Sequence, residues 1–192
     1  MRLTRVALGG VVLVEPEPAV DERGLFARTY CRREFEQHGI AGELVQTSVS
    51  WNARRGTLRG LHLQLAPSAE GKLVRCVRGR LMDVIVDLRP DSPTYLQHLA
   101  IELEATARRA VYIPPGCAHG FQTLADDTEL LYYMTDYYQP ELASGVRWND
   151  PAFGIAWPDP APILSPRDAG YPDFDPAAWR QQLAAASRAP QS

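Results

Sequence analysis

From Glu43 onward, short apolar runs alternate with polar or glycine-containing breaks: ELVQTSVSW, TLRGLHLQ, KLVRCVRG, RLMDVIVDLR, LQHLAIELEA, RRAVYIPP, HGFQTLA and ELLYYMTDYY. Runs of this length with reversal signals between them predict strands, with hairpins at Arg78-Gly79 and Asp126-Asp127. Strands at this spacing predict an all-β chain, an antiparallel β-barrel or jelly roll, with short peripheral helices. In RLMDVIVDLR, Met82, Val84, Val86 and Leu88 fall on one face and Asp83 and Asp87 on the other, so one core-facing side and one polar side are expected. In TLRGLHLQ the alternation breaks at Gly60, which predicts a bend or bulge there.

Earlier in the chain, Val6 to Val14 reads as a first strand and residues 15–23 as a polar loop, after which Gly24 opens a short strand, LFARTY. CRREFEQHGI reads as a short surface helix anchored by Phe35 and stopped by Gly39. Beyond Tyr138 the sequence is rich in Pro, Gly and Asp, yet it carries too many Trp, Phe and Ile residues for a disordered linker, so it should wrap over the strands and pack. Asp175 caps a last helix over about residues 176–187 with Pro176 at its first position, and RAPQS should fray. The expectation is one domain spanning residues 1–192, with a core over about 20–170.

Composition narrows the function classes. The 20 basic residues are scattered among 23 acidic ones for a net charge of −3, which leaves no electrostatic footprint for nucleic acid. Three cysteines without CxxC spacing give neither a disulfide framework nor a zinc site and fit a reducing cytoplasm. The N-terminal apolar run is short, interrupted by Gly9-Gly10 and followed by acidic residues, unlike a secretory signal. No run approaches the roughly 18 to 20 apolar residues that span a bilayer, so no membrane partner is expected.

The chemistry concentrates in GTLRGLHLQLAPSAEGK, which puts a permanent cation (Arg59), a base (His62) and a titratable cation (Lys72) on two neighbouring strands. Together with KLVRCVRGRLMDVIVDLRPDSPTY, YIPPGCAHGF, ELLYYMTDYYQPE, RWNDPAFGIAWP and ILSPRD, in that order, this stretch resembles the dTDP-4-dehydrorhamnose 3,5-epimerases over roughly residues 20–170. The resemblance implies a cupin-type jelly roll, a homodimer, and action on a nucleotide-linked 4-keto-6-deoxy sugar without a cofactor. It implies His62 as base, Asp168 as the carboxylate orienting it and Tyr132 as acid. Arg23, Phe26, Gln46, Arg59, Lys72 and His119 would line the substrate site, with Tyr138 stacking on the nucleotide base.

Those residue types suit the reaction. A C4 ketone acidifies the protons at C3 and C5, and inversion needs a base on one face, an acid on the other and a positive group at the enolate oxygen. Histidine titrates near working pH, and a carboxylate on its second nitrogen fixes the tautomer. Tyrosine holds a proton to give at pH 7. Many cupins bind a metal through an HxH pair, but here the pair reads His62-Leu63-Gln64, and with His119 alone beyond it no metal site is expected. Two departures from the family pattern stand out: Arg28 replaces the glutamate of the early block, and Thr47-Ser48 follows Gln46 where an asparagine is usual. The alternatives are a C3-only epimerase, an epimerase of another nucleotide-linked 4-keto sugar, a metal-dependent cupin enzyme, and a non-catalytic sugar-nucleotide binder.

Overall fold

The structure, a computed structural model, describes residues 1–40 and 43–186. In chain order the strands are β1 (Arg2–Arg5), β2 (Val12–Glu15), β3 (Ala19–Asp21), β4 (Gly24–Phe26), β5 (Gln46–Asn52), β6 (Leu58–Gln64), β7 (Lys72–Arg78), β8 (Arg80–Asp87), β9 (His98–Glu104), β10 (Ala110–Ile113), β11 (Cys117–Thr123), β12 (Thr128–Met134) and β13 (Ala143–Gly145). The helices are α1 (Arg32–Gln37), α2 (Pro166–Ala169) and α3 (Pro176–Ala186). Ser187, placed at the end of the last helix by its sequence, and the RAPQS tail lie outside the described residues.

A six-stranded sheet in the order β1-β2-β10-β7-β12-β5 faces a five-stranded one in the order β13-β6-β11-β8-β9, and β3 pairs with β4 alone. The fold is thus mostly β, but the expected jelly-roll barrel does not form. Among the described residues, β1 and β5 are the free edges of one sheet, β13 and β9 of the other, and no sheet closes on itself. The edge strands of one sheet do not pair with those of the other, and the turns mark where the chain changes layer. Gly79 (φ +73°) and Asp127 (φ +57°) do reverse the chain, but each carries it from one sheet to the other, since β7 and β12 belong to the larger sheet and β8 and β11 to the smaller. Both expected hairpins are therefore corners between layers, and a turn signal specifies reversal without specifying pairing.

Val74, Cys76, Val111, Ile113 and Leu130 from one sheet meet Leu81, Ile85, Leu103, Cys117 and Phe121 from the other to form the central core. The outer face of the smaller sheet is covered as well, by Val146, Phe153, Phe174 and Trp179 of the Pro-rich C-terminal segment packing on Leu61, Val84, Val86 and Leu88. β8 is consequently buried on both faces: the even positions lie under this third layer, and Asp83 and Asp87 are 0% exposed on the side facing the larger sheet. The polar face expected for this strand is an interior face. Asp175 caps α3 through the amides of Ala177 and Ala178, and Trp179 Nε1 donates to the Leu88 carbonyl, tying the segment down.

Val6 to Val14 is not one strand. Gly10 at φ +82° allows the chain to turn back, so that β1 and β2 pair with each other. The polar loop before Gly24 is itself partly strand, β3, paired with a β4 that ends at Phe26 instead of running through LFARTY. α1 lies on the outer face of the larger sheet, with Phe35 buried against Val12, Val14, Leu73 and Tyr112. None of the described helices is long and apolar enough to cross a membrane.

Candidate active site

β6 and β11 build one wall of the site, and their register is irregular: His62 stands opposite His119, whereas Arg59 stands opposite Phe121. Between these pairs, two residues on β6, Gly60 and Leu61, match one on β11, Gly120. The extra residue lies at the anticipated break, Gly60, whose φ is +136° and whose Cα side lies so close to Gly120 that a Cβ would meet the Gly120 Cα at 2.5 Å. The bulge has a chemical consequence. Arg59 and His62 are three positions apart, which in a regular strand would send them to opposite faces, and here both line the same pocket.

Asp168 reaches His62 across 106 residues because the late segment is stitched to the start of β6. Ile163 forms a parallel bridge with Thr57, its amide donating to the Gly56 carbonyl and its carbonyl accepting from Leu58. α2 begins three residues later, capped by the Ser165 hydroxyl, which accepts from the Asp168 amide. His62 Nε2 then lies 2.7 Å from Asp168 Oδ1, and Asp168 Oδ2 accepts from the Gly60 amide at 3.3 Å. Burial alone would raise the Asp168 carboxyl, but the hydrogen bond and charge of His62, with the Gly60 amide, outweigh it and hold the group below its ordinary value. The His62 side chain is 38% exposed and opens to the pocket, while Asp168 is 5% exposed beneath it.

The pocket has a volume of about 900 Å³ and takes its opposite wall from the larger sheet: Tyr132 and Met134 of β12, Lys72 of β7, and Gln46, Ser48 and Ser50 of β5. Burial, helped by the Asp83 carboxylate and opposed by Arg59, pushes the Tyr132 phenol far above its ordinary value, so it keeps its proton. Lys72 Nζ pairs with Glu70 at 2.5 Å. His119 packs edge-on to Tyr132 with ring centroids 5.8 Å apart, and its Nε2 lies 2.7 Å from Asp83 Oδ2. Gln46 accepts from the Tyr138 amide at 2.6 Å, which fixes the segment that brings Tyr138 to the rim.

His62, Asp168, Tyr132, Lys72, Arg59, His119, Gln46 and Tyr138 are therefore gathered in one pocket. Arg23 and Phe26 are not: they sit on the β3–β4 hairpin, with Phe26 81% exposed and Arg23 paired to Asp21. Sequence reasoning gave no role to Asp83, Glu70 or Arg167, all three of which belong to the site or its lining. A signal for Asp83 was present, since it shares the odd-numbered face of β8 with Leu81 and Ile85 of the central core. Arg167 and Glu70 carry none beyond their closeness to Asp168 and Lys72.

Among the described residues, no three His, Cys, Asp or Glu side chains are grouped as a metal site. Gln64, at the second position of the HxH-like pair, uses both ends of its amide on the 137–139 turn, donating to the Tyr137 carbonyl and accepting from the Gln139 amide. Cys76 and Cys117 are buried, and burial pushes their thiols up to about 11 and about 12, so neither is a ready nucleophile.

A sequence model of the family described as dTDP-4-dehydrorhamnose 3,5-epimerase matches residues 5–176. The dTDP-4-dehydrorhamnose 3,5-epimerase of Salmonella typhimurium is 42% identical over 179 residues, covering 92% of this chain and 97% of that protein. A dTDP-4-dehydrorhamnose 3-epimerase of Streptomyces niveus is 40% identical over 88% of this chain and 81% of its own length. The crystal structure of the Bacillus anthracis 3,5-epimerase with TDP and PPi bound superposes with a TM-score of 0.87 at 40% identity, covering 90% of this chain and 99% of that one.

Proposed function

The chain belongs to the dTDP-4-dehydrorhamnose 3,5-epimerase family, and from that membership we propose that it inverts C3 and C5 of a dTDP-4-keto-6-deoxyhexose, with His62 as base and Tyr132 as acid. The observation that carries this reading is the projection of two proton-transfer groups from opposite sheets into one pocket, His62 on β6 and Tyr132 on β12.

With Nε2 engaged by Asp168, His62 presents Nδ1 to the substrate. Nδ1 takes the proton from C3 or C5, the C–H electron pair becomes the new C–C π bond, and the C4 oxygen becomes an enolate beside the Lys72 ammonium. Losing one such donor typically costs about 2.7–4 kcal/mol of barrier. Tyr132 gives its phenolic proton to the opposite face of the same carbon as the ketone re-forms. The tyrosinate recovers a proton from water and His62 returns its own, so the net change is isomerisation and no redox or metal partner enters the balance. Arg59 and Arg167, on the pocket wall, supply positive charge for the diphosphate.

The same proposal includes a homodimer. Its support is apolar side chains left in the open at two places: Val20 (73% exposed) and Phe26 on the β3–β4 hairpin, and Val49 and Trp51 on the edge strand β5. In a dimer, Arg23 and Phe26 would reach the partner's pocket instead of their own. Sedimentation of wild type and Phe26→Asp tests this part, and a monomeric wild type overturns it.

The test of the activity is deuterium uptake from heavy water into dTDP-4-keto-6-deoxyglucose, followed by NMR at C3 and C5. Uptake at both carbons is expected. Uptake at C3 alone makes this a single-carbon enzyme, and none at either carbon overturns the assignment.

A further inference from the structure

We infer that Asn52 is a positioning residue for Arg59, holding its guanidinium toward the pocket through a neutral amide so that the full positive charge remains for an anionic ligand. The inference rests on the reading of Arg59 as part of the diphosphate site. Asn52 is the last residue of β5, is only 2% exposed, and stands opposite Thr128 in the β5–β12 ladder. Its Oδ1 accepts from Arg59 Nε at 2.8 Å. Its Nδ2 donates to the Thr128 carbonyl and the Ser50 carbonyl, both at 3.2 Å.

Those partners fix the orientation of the amide. Two carbonyls, which only accept, face the nitrogen, and a guanidinium, which only donates, faces the oxygen; the flipped amide would oppose like to like at all three contacts. A buried polar group anchored in this way adopts one rotamer, and the side chain it holds inherits that order. Nε is the inner edge of the Arg59 guanidinium, so this bond leaves the edge bearing both Nη groups directed elsewhere. Among the described residues no carboxylate lies within ion-pair distance of Arg59, unlike Arg89 with Asp87 or Lys72 with Glu70. Arg59 therefore lines the pocket uncompensated, with the fork suited to two oxygens of a diphosphate.

The choice of amide over carboxylate is the distinguishing feature. An aspartate at this position would accept the same hydrogen bond but neutralise the cation, and its second oxygen would face the Ser50 and Thr128 carbonyls. An alanine would leave the cation charged and unaimed. Orientation and charge are thus separable by substitution.

The experiment titrates dTDP and inorganic pyrophosphate by calorimetry into wild type, Asn52→Ala, Asn52→Asp, Arg59→Ala and the Asn52→Ala/Arg59→Ala double variant, with thermal melts confirming that each is folded. Asn52→Ala is expected to weaken both probes about tenfold, the scale of a hydrogen bond to a charged group. Asn52→Asp is expected to weaken them at least as much despite keeping an acceptor. In the Arg59→Ala background, Asn52→Ala should change affinity less than about twofold, because a residue acting through Arg59 has nothing left to position. In turnover, Asn52→Ala should raise KM with kcat held within about twofold, whereas general loosening of β6 would also misplace His62 and lower kcat. Should Asn52→Asp not fold, the alanine cycle alone decides. Unaltered pyrophosphate affinity in Arg59→Ala overturns the diphosphate reading of Arg59. A normal loss in Arg59→Ala with an equal further loss from Asn52→Ala, or wild-type affinity in either Asn52 variant, overturns the positioning role.

Discussion

His62 and His119 are registered partners across the β6–β11 ladder, and each holds its own carboxylate at 2.7 Å, Asp168 for the first and Asp83 for the second. The two dyads differ in access. The His62 side chain is 38% exposed in the pocket, whereas those of His119 and Asp83 are 5% and 0% exposed, with His119 packed edge-on against Tyr132. A group that must touch a sugar carbon and trade protons with water needs the first setting. The second suits a support that orients the ring packed on the Tyr132 phenol.

Asp168→Asn keeps an acceptor for the Gly60 amide but removes the negative charge facing the imidazolium that forms when His62 takes a proton. The expected outcome is a kcat lower by roughly 10²-fold or more, the scale of general acid–base catalysis, with dTDP affinity unchanged because Asp168 lies beneath His62 and is not among the residues proposed to hold the diphosphate. Steady-state kinetics with calorimetry checks it, and an equal loss in affinity would mean that the substitution had disordered α2.

Tyr132→Phe separates exchange from inversion. His62 can still remove a proton and return one to the same face, so solvent deuterium should enter the substrate while its configuration is retained, and epimerised product should fall by roughly 10²-fold or more. NMR of recovered substrate reads both quantities together. Undiminished inversion would assign the acid to another group.

The residues that carry the proposed proton transfers were legible because the stretches around them are distinctive: RGLH for Arg59 and His62, LLYYM for Tyr132, and SPRD for Asp168. The broken alternation at Gly60 likewise announced the bulge. Layer assignment was not legible, because a closed barrel and two stacked open sheets demand the same alternation and the same turns. Gly79 and Asp127 show this, reversing the chain without pairing the strands they join. Asp83 escaped even though Leu81 and Ile85 share its face of β8. A carboxylate alternating with apolar residues looks solvent-facing until the C-terminal segment is found covering the other side. Asn52 gave no signal at all, since its function depends on Arg59 bending round to meet it.

Asp87 makes stability depend on pH at the acid end. Burial by itself would raise its carboxyl, but hydrogen bonds from Arg89, Ser92 and Thr94 overcome that and bring it from 3.8 down to about 2. A carboxylate depressed in the folded state stabilises it above the unfolded value, and that contribution is lost as pH falls through the folded one. A shift of this size corresponds to roughly 2 kcal/mol. Urea titrations at intervals from pH 6 to pH 2 should show wild type losing about that much more stability than Asp87→Asn over the window. Parallel curves for the two proteins would show that Asp87 is not responsible.

Gly60→Ala tests whether the bulge that brings Arg59 and His62 to one face tolerates a side chain. The glycine has φ +136°, and a Cβ would lie 2.5 Å from the Gly120 Cα and 3.0 Å from the His119 carbonyl oxygen, both of them backbone and unable to swing aside. Strain of this kind costs on the order of 1–3 kcal/mol before any main-chain displacement is counted, equivalent to a fall in Tm of roughly 2–12 °C for a chain of this size. Gly154→Ala is the control: its φ is +60° but nothing lies within 4 Å of its Cβ position, so it reports the backbone penalty without the collision. The expected result is a larger Tm loss at Gly60 than at Gly154, with activity falling only in the former as β6 parts from β11 and carries His62 with it. Equal losses at the two positions, with activity intact in both, would show that the close approach of Gly60 to Gly120 does not hold the site together.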